Sequence, residues 1–354
     1  MDIKIIKNEN PKEKPPVDNL GFGQYFTDHM FVMDYKKDIG WHNARIEPFG
    51  DLVMHPAATV LHYGAEVFEG LKAYKLEDGR VQLFRPSDNM KRLNNSAERL
   101  CLPQIPFEDL MESLLKFVDH ERDWVPDKKG TSLYIRPFMY GHDPYLGVHT
   151  VENCSYIIIA SPSGSYYSDS DLSPVKIMIE EEDVRAVRGG TGYAKCGGNY
   201  AASVRACDRA EDKGYSQVLW LDGVERKYIE EVGAMNVLFK IDGIIVTPEL
   251  NGSILDGITR RSCIRVLKDM GYEVQERKIS VDELVDAMEN NKLEEAWGTG
   301  TAAIVSPISV LAYKGREYQI KDGGVGELTN KLYEKLTGIQ WGLIPDEYGW
   351  TVQI

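Results

Sequence analysis

At 354 residues, 43% of them hydrophobic and 27% charged, the chain has an ordinary globular composition and room for about two domains. Its formal net charge of -14, with no clustered basic stripe, excludes the electrostatic footprint of a nucleic-acid or anionic-membrane partner. No apolar run approaches a membrane span, and MDIKIIKNENPKEKPP carries scattered charge where a secretory leader needs an apolar core. Five cysteines at irregular spacing, Cys101, Cys154, Cys196, Cys207 and Cys263, predict reduced thiols in a cytoplasm. Seven dispersed histidines and no cysteine cluster predict no metal site.

In chain order, FEDLMESLLKFV places Phe107, Leu110, Leu114, Phe117 and Val118 at helical spacing behind Pro106, a good helix opener. TSLYIRPFMY and NCSYIIIA read as strands. Residues 160–174, ASPSGSYYSDSDLSP, turn polar and small, as a linker does. They divide the chain into residues 1–162, a linker at 163–174, and 175–354. A helix opens near Gly198, with Tyr200, Val204 and Cys207 on one side, and stops at Lys213 and Gly214. QVLWL is a buried strand, and VLFKIDGIIVTP a hairpin about Asp242 and Gly243. GITRRSCIRVLKDMG is a helix ended by Gly271, and Ser280 with Glu283 forms a capping box before SVDELVDAMEN.

The segment GGTGYAKCGGNYAAS, residues 189–203, sets Lys195 between glycines, which let a backbone approach a flat ligand. Nucleotide motifs fail on spacing. A P-loop needs glycine before its lysine and serine or threonine after, where this chain has Ala194 and Cys196. A dinucleotide fingerprint fails because Lys195 stands at its third glycine position. What remains is amine chemistry on a carbonyl, most often that of pyridoxal 5'-phosphate. This cofactor also needs an acid for its ring nitrogen, donors for its phosphate and a donor to its ring oxygen. Candidates are Glu230 and Glu231 in YIEEVGAMN, the helix start at Gly257, Ile258 and Thr259, and Thr299 and Thr301 in GTGTAAIVS. Taken alone, the paired glutamates read as a solvated strand edge, and Arg92 in NMKRL as a surface cation beside Lys91. Arg136, flanked by apolar residues in LYIRPF, needs an anion or a route to water.

HPAATVLHYGAEVFEGLKAY, FRPSDNMKRL, LYIRPFMYG, AKCGGNYAAS, EEVGAMN, NGSILDGITR and GTGTAAIVSP occur in this order, and together the chain resembles the branched-chain amino acid aminotransferases of fold type IV. The resemblance implies an α+β fold of two domains: a small N-terminal α/β sandwich and a larger C-terminal pseudo-barrel with surrounding helices that binds the cofactor. It implies that Lys195 binds pyridoxal 5'-phosphate through its amine and shuttles a proton. Glu231 would face the ring nitrogen, Tyr200 the ring oxygen, and Arg92, the amides of Ile258 and Thr259, and Thr301 the phosphate. For the substrate it implies Tyr63, Phe68, Tyr134, Arg136, Tyr166, Thr301 and Ala302. Leu146 and Val148 would reach the pocket of a second copy in a homodimer. The implied reaction exchanges the amino group of leucine, isoleucine or valine with 2-oxoglutarate. D-amino acid transaminases and aminodeoxychorismate lyases share the fold, and a phosphate-binding regulator without chemistry is the reading from another class. Two positions depart from the pattern. Ala303 and Ser306 stand where some animal members carry a C-x-x-C pair, and Ala234 where some relatives have threonine.

Overall fold

The computed structural model of the protein describes residues 1–164 and 172–354. The chain forms two compact units, one of Met1–Tyr166, Ala194–Gly197 and Ile339–Ile354, the other of Tyr167–Tyr193 and Gly198–Gly338. Two later segments therefore group with the first, which a single cut at 163–174 does not anticipate. Residues 165–171 of that polar stretch, Tyr166 among them, lie outside the described residues, and its first residues complete the strand Asn153–Ser163.

In the first unit a nine-stranded sheet is arranged about Ser132–Gly141, which pairs with Asn153–Ser163, Leu71–Lys75 and the short strand Glu66–Phe68. One sheet end is closed by the C-terminus, whose strand Thr351–Gln353 pairs antiparallel with Val81–Phe84. Alternation along Ser132–Gly141 sends Leu133, Ile135 and Met139 into the core with Leu110, Leu114, Phe117 and Val118 of the helix Phe107–His120. Tyr134, Arg136 and Phe138 stand on the opposite face. Phe68 registers with Phe138 and Val67 with the core residue Met139, so Glu66 and Phe68 join Arg136 on that face. The same unit gathers His29, His120 and Glu121, residues whose spacing carries no metal motif. Hydrogen bonds already occupy His29: Nε2 accepts from the Asn8 amide at 3.2 Å, and Nδ1 faces Glu121 Oε1 at 2.6 Å.

The second unit holds another nine-stranded sheet, in which Leu293–Gly300 lies between Ile304–Tyr313 and Asn236–Ile241. The predicted hairpin is present. Asn236–Ile241 and Ile244–Thr247 pair antiparallel, with positive φ at Asp242 and Gly243 (49° and 80°), as a tight primed turn requires. The helix predicted after Gly198 is two pieces, Gly197–Ala201 and Val204–Asp212, and the second buries Ala206 and Ala210 while Val204 is exposed. The apolar side was misassigned because the turn between the pieces resets the helical phase. Ile258–Asp269 and Val281–Glu289 form as expected, and Ser280 Oγ accepts the Glu283 amide at 3.0 Å. The Glu283 carboxylate pairs with Arg277 at 2.6 Å, so the serine arm of the predicted capping box is the one that forms. Ser280→Ala is expected to remove that cap and destabilise the protein by about 1 kcal/mol, read as a lower urea midpoint at unchanged slope.

Candidate active site

Lys195 is positioned through its backbone. Its amide donates to Ser96 Oγ at 2.9 Å, and its carbonyl accepts the Phe68 amide at 2.9 Å, so Ala194–Gly197 lies along the strand Glu66–Phe68. The Gly197 amide donates to the Glu66 carboxylate, and any side chain at 197 would collide with it. Glycine two residues past the lysine leaves room for this carboxylate, which a side chain there would displace. Lys195 Nζ stands over the Phe68 ring, 4.7 Å from its centroid. Burial lowers the Lys195 pKa to about 8, the Arg92 guanidinium acts in the same direction, and Glu69 opposes both. Lys72, in the strand Leu71–Lys75, is also brought to about 8 by burial, so basicity does not distinguish the two lysines.

Arg92, read from the sequence as a surface cation, is 9% exposed. The helix Pro86–Arg99 turns it inward, where Nε and Nη2 donate to the two oxygens of Glu69 at 2.7 and 3.0 Å. Glu69, fully buried, also accepts from Asn89 Nδ2 at 2.8 Å and the Gly70 amide at 3.1 Å. A buried charge needs this degree of pairing, and the bidentate fork fixes the guanidinium plane. On the same face as Phe68, Arg136 lies 4.5 Å from that ring centroid and donates through Nη2 to Tyr134 Oη at 2.8 Å. Its buried Nε has no hydrogen-bond partner among the described residues. Burial raises the pKa of Glu66, with the Gly197 amide and Arg136 opposing. Tyr63 accepts the Gly147 amide at 2.9 Å and is partly exposed, as are Leu146 and Val148 to 66% and 87% in the same loop as Gly147.

In the second unit Glu230 and Glu231 are each 3% exposed, which overturns the solvated reading of the pair. They are successive residues of Ile229–Val232 and turn to opposite faces. Glu231 pairs with Arg185 Nη2 at 2.6 Å and accepts from Asn236 Nδ2 at 3.0 Å. Glu230 accepts from Ser253 Oγ and from Asn251 Nδ2. Arg185 Nη2 also donates to the carbonyls of Gly192 and Ser253, tying Glu231 to the glycine turn. Thr191 and Asn199 exchange hydrogen bonds of 2.8 and 2.9 Å, clasping that turn to the short helix bearing Tyr200. Ile258 and Thr259 open a helix whose N-cap, Gly257, supplies no side-chain bond, so the dipole end of the helix is left without a capping side chain. Thr301 and Ala302 occupy the turn after Leu293–Gly300, and Thr299 Oγ1, buried, has no partner among the described residues. Sequence reading missed Glu66, Glu69, Ser96, Arg185 and Asn236. Glu66 and Glu69 stand within a quoted motif, but the partner that gives each its purpose is distant in sequence.

This site has the chemistry of an amine held at moderate basicity, with a fixed guanidinium nearby in the same unit. Residues 66–311 match the sequence profile of amino-transferase class IV. The chain belongs to the class IV aminotransferases. Branched-chain-amino-acid aminotransferase 2 of Bacillus subtilis is 54% identical over 99% of this chain and 97% of its own. Among solved class IV enzymes, the branched-chain aminotransferase of Thermoproteus uzoniensis with norvaline matches at a TM-score of 0.75 and 26% identity, covering 92% of this chain and 99% of that one. The T.th. branched-chain aminotransferase complexed with N-(5'-phosphopyridoxyl)-L-glutamate matches at a TM-score of 0.75 and 28% identity, covering 91% and 97%.

Two outcomes follow from this geometry. Lys195 is protonated below a pKa of about 8 and a free amine above it, so its reaction with an aldehyde reagent should rise in rate from about pH 7 to 9 and flatten beyond, read by peptide mapping after borohydride reduction. Because the two glutamates face opposite ways, Glu231→Gln and Glu230→Gln should differ in kcat, and only the one facing a reacting centre should cost about a hundredfold or more, the scale of one lost electrostatic contact there. Equal losses in steady-state assays would show the faces misassigned.

Proposed function

We infer that the protein is a branched-chain amino acid aminotransferase, exchanging the amino group of leucine, isoleucine or valine with 2-oxoglutarate in a reversible ping-pong cycle. More than half of its residues are identical to those of enzymes carrying that name, over nearly the whole length. The relatives named above support this reading over a D-amino acid transaminase or an aminodeoxychorismate lyase. Pyridoxal 5'-phosphate, when bound, supplies the electron sink that makes a substrate Cα proton removable. The chain's donor set suits it. A lysine of pKa about 8 takes that proton near neutrality and returns it, which is the proposed work of Lys195. Arg92, the amides of Ile258 and Thr259, and Thr301 would hold the phosphate. Glu231, paired with Arg185, would face the ring nitrogen, and Tyr200 the ring oxygen. Tyr63, Phe68, Tyr134, Arg136, Thr301 and Ala302 would meet the substrate. Leu146 and Val148, apolar and exposed, would complete the site of a second copy, making the enzyme a homodimer of the cytoplasm.

One observation carries the dual-substrate reading. Arg136 sits between Phe68 and Tyr134, with a buried Nε to which the described residues offer no acceptor. A pocket that accepts an isobutyl group and then a carboxylate-bearing chain makes opposite demands on polarity. A guanidinium against aromatic faces answers both, since it engages the second carboxylate and leaves the rings to the apolar chain. Arg136→Gln should weaken glutamate and 2-oxoglutarate about ten- to a hundredfold, the loss of one charge-assisted hydrogen bond, and leucine less. Single-turnover kinetics of each half-reaction read this from the cofactor spectrum. Equal losses would place Arg136 on the α-carboxylate common to both substrates.

A further inference from the structure

Glu66 meets both the lysine segment and Arg136. Its carboxylate accepts the Gly197 amide, and it stands on the sheet face that carries Phe68, Phe138 and Arg136, two residues before Phe68 on the strand Glu66–Phe68. Two cations stand over the Phe68 ring, Arg136 at 4.5 Å from the centroid and Lys195 Nζ at 4.7 Å. Glu69, the other acid of this segment, is committed to Arg92, Asn89 and the Gly70 amide. Arg136 therefore has Glu66 as its counter-charge from this segment. The attraction is felt at the carboxylate, where Arg136 opposes the rise that burial imposes on the pKa of Glu66.

Anchoring Gly197 does not by itself require a charge. An amide or hydroxyl oxygen would accept the same N–H, and a carboxylate drawn out of water is harder to hold than either unless a cation compensates it. Arg136 supplies that compensation and is itself short of acceptors. Nη2 donates to Tyr134, and the buried Nε has no partner among the described residues.

We propose that Glu66 is a specificity-determining residue, the resident counter-charge of Arg136 when the bound side chain is apolar and an opposing charge when a second substrate carboxylate arrives. The inference rests on the dual-substrate reading of Arg136 given above. An apolar side chain brings no charge, so the guanidinium stays balanced by Glu66. A dicarboxylate must share the guanidinium with Glu66, and two like charges about one cation repel. The carboxylate at position 66 tilts the pocket toward leucine-like substrates.

The test is calorimetric titration of two non-reacting acids into holoenzyme: 4-methylvalerate, which carries the leucine side chain, and glutarate, which carries the second carboxylate. Glu66→Gln keeps an acceptor for the Gly197 amide and removes the charge. It should raise the affinity for glutarate relative to 4-methylvalerate about three- to tenfold, the scale of one screened like-charge contact. Single-turnover efficiency should shift the same way, glutamate gaining on leucine by a similar factor. An unchanged or lower ratio overturns the proposal, and equal weakening of both acids would reduce Glu66 to an anchor of Gly197. Wild-type holoenzyme that fails to convert leucine or 2-oxoglutarate would sink the function proposed above. A wild type that runs both half-reactions, with a ratio indifferent to Glu66→Gln, sinks this role alone.

Discussion

Two hydrogen bonds to the backbone of Lys195, from its amide to Ser96 and to its carbonyl from Phe68, decide where its amine stands. A lysine side chain has four rotatable bonds, and anchoring the backbone on both sides of its Cα removes much of the positional freedom that would otherwise blur its reach. The anchor also sets its chemistry. Held over the Phe68 ring and within the field of Arg92, the ammonium loses solvation and meets a like charge, and both effects favour the neutral amine.

Arg92 can exert that influence because Glu69 fixes it. Removing a carboxylate and a guanidinium from water costs several kcal/mol, and Coulomb attraction offsets this only with good geometry and further donors, here Asn89 and the Gly70 amide. Such a pair adds little net stability over an apolar replacement. Its value is placement, since a bidentate fork leaves the guanidinium one orientation.

The second unit applies the same logic to a carboxylate. Successive glutamates on a buried strand must face opposite ways, and each finds its own partners: Arg185 and Asn236 on one face, Ser253 and Asn251 on the other. Arg185 joins three segments by donating to Glu231, Gly192 and Ser253, so one cation holds an acid and the turns around it in register.

The sequence by itself determined the hairpin at Asp242 and Gly243 and the helices Phe107–His120, Ile258–Asp269 and Val281–Glu289, because hydrophobic period and turn residues are local properties of the chain, and its ordered motifs carried the family and, through that resemblance, the α+β class. It singled out Lys195, Arg92, Arg136 and Glu231 through ordered motifs. Partnership was decided only by the tertiary structure. Glu69 and Arg92 are 23 residues apart, Gly197 and Glu66 131, and the strand Thr351–Gln353 finds Val81–Phe84 across most of the chain. No local pattern encodes such pairs, so Arg92 and the two glutamates read as solvent-facing until the fold removed them from water. The broken helix after Gly198 failed for the same reason. Its turn is held by Thr191 and Asn199 and its buried face is chosen by packing on Val218 and Trp220, neither of which periodicity within the helix can reveal.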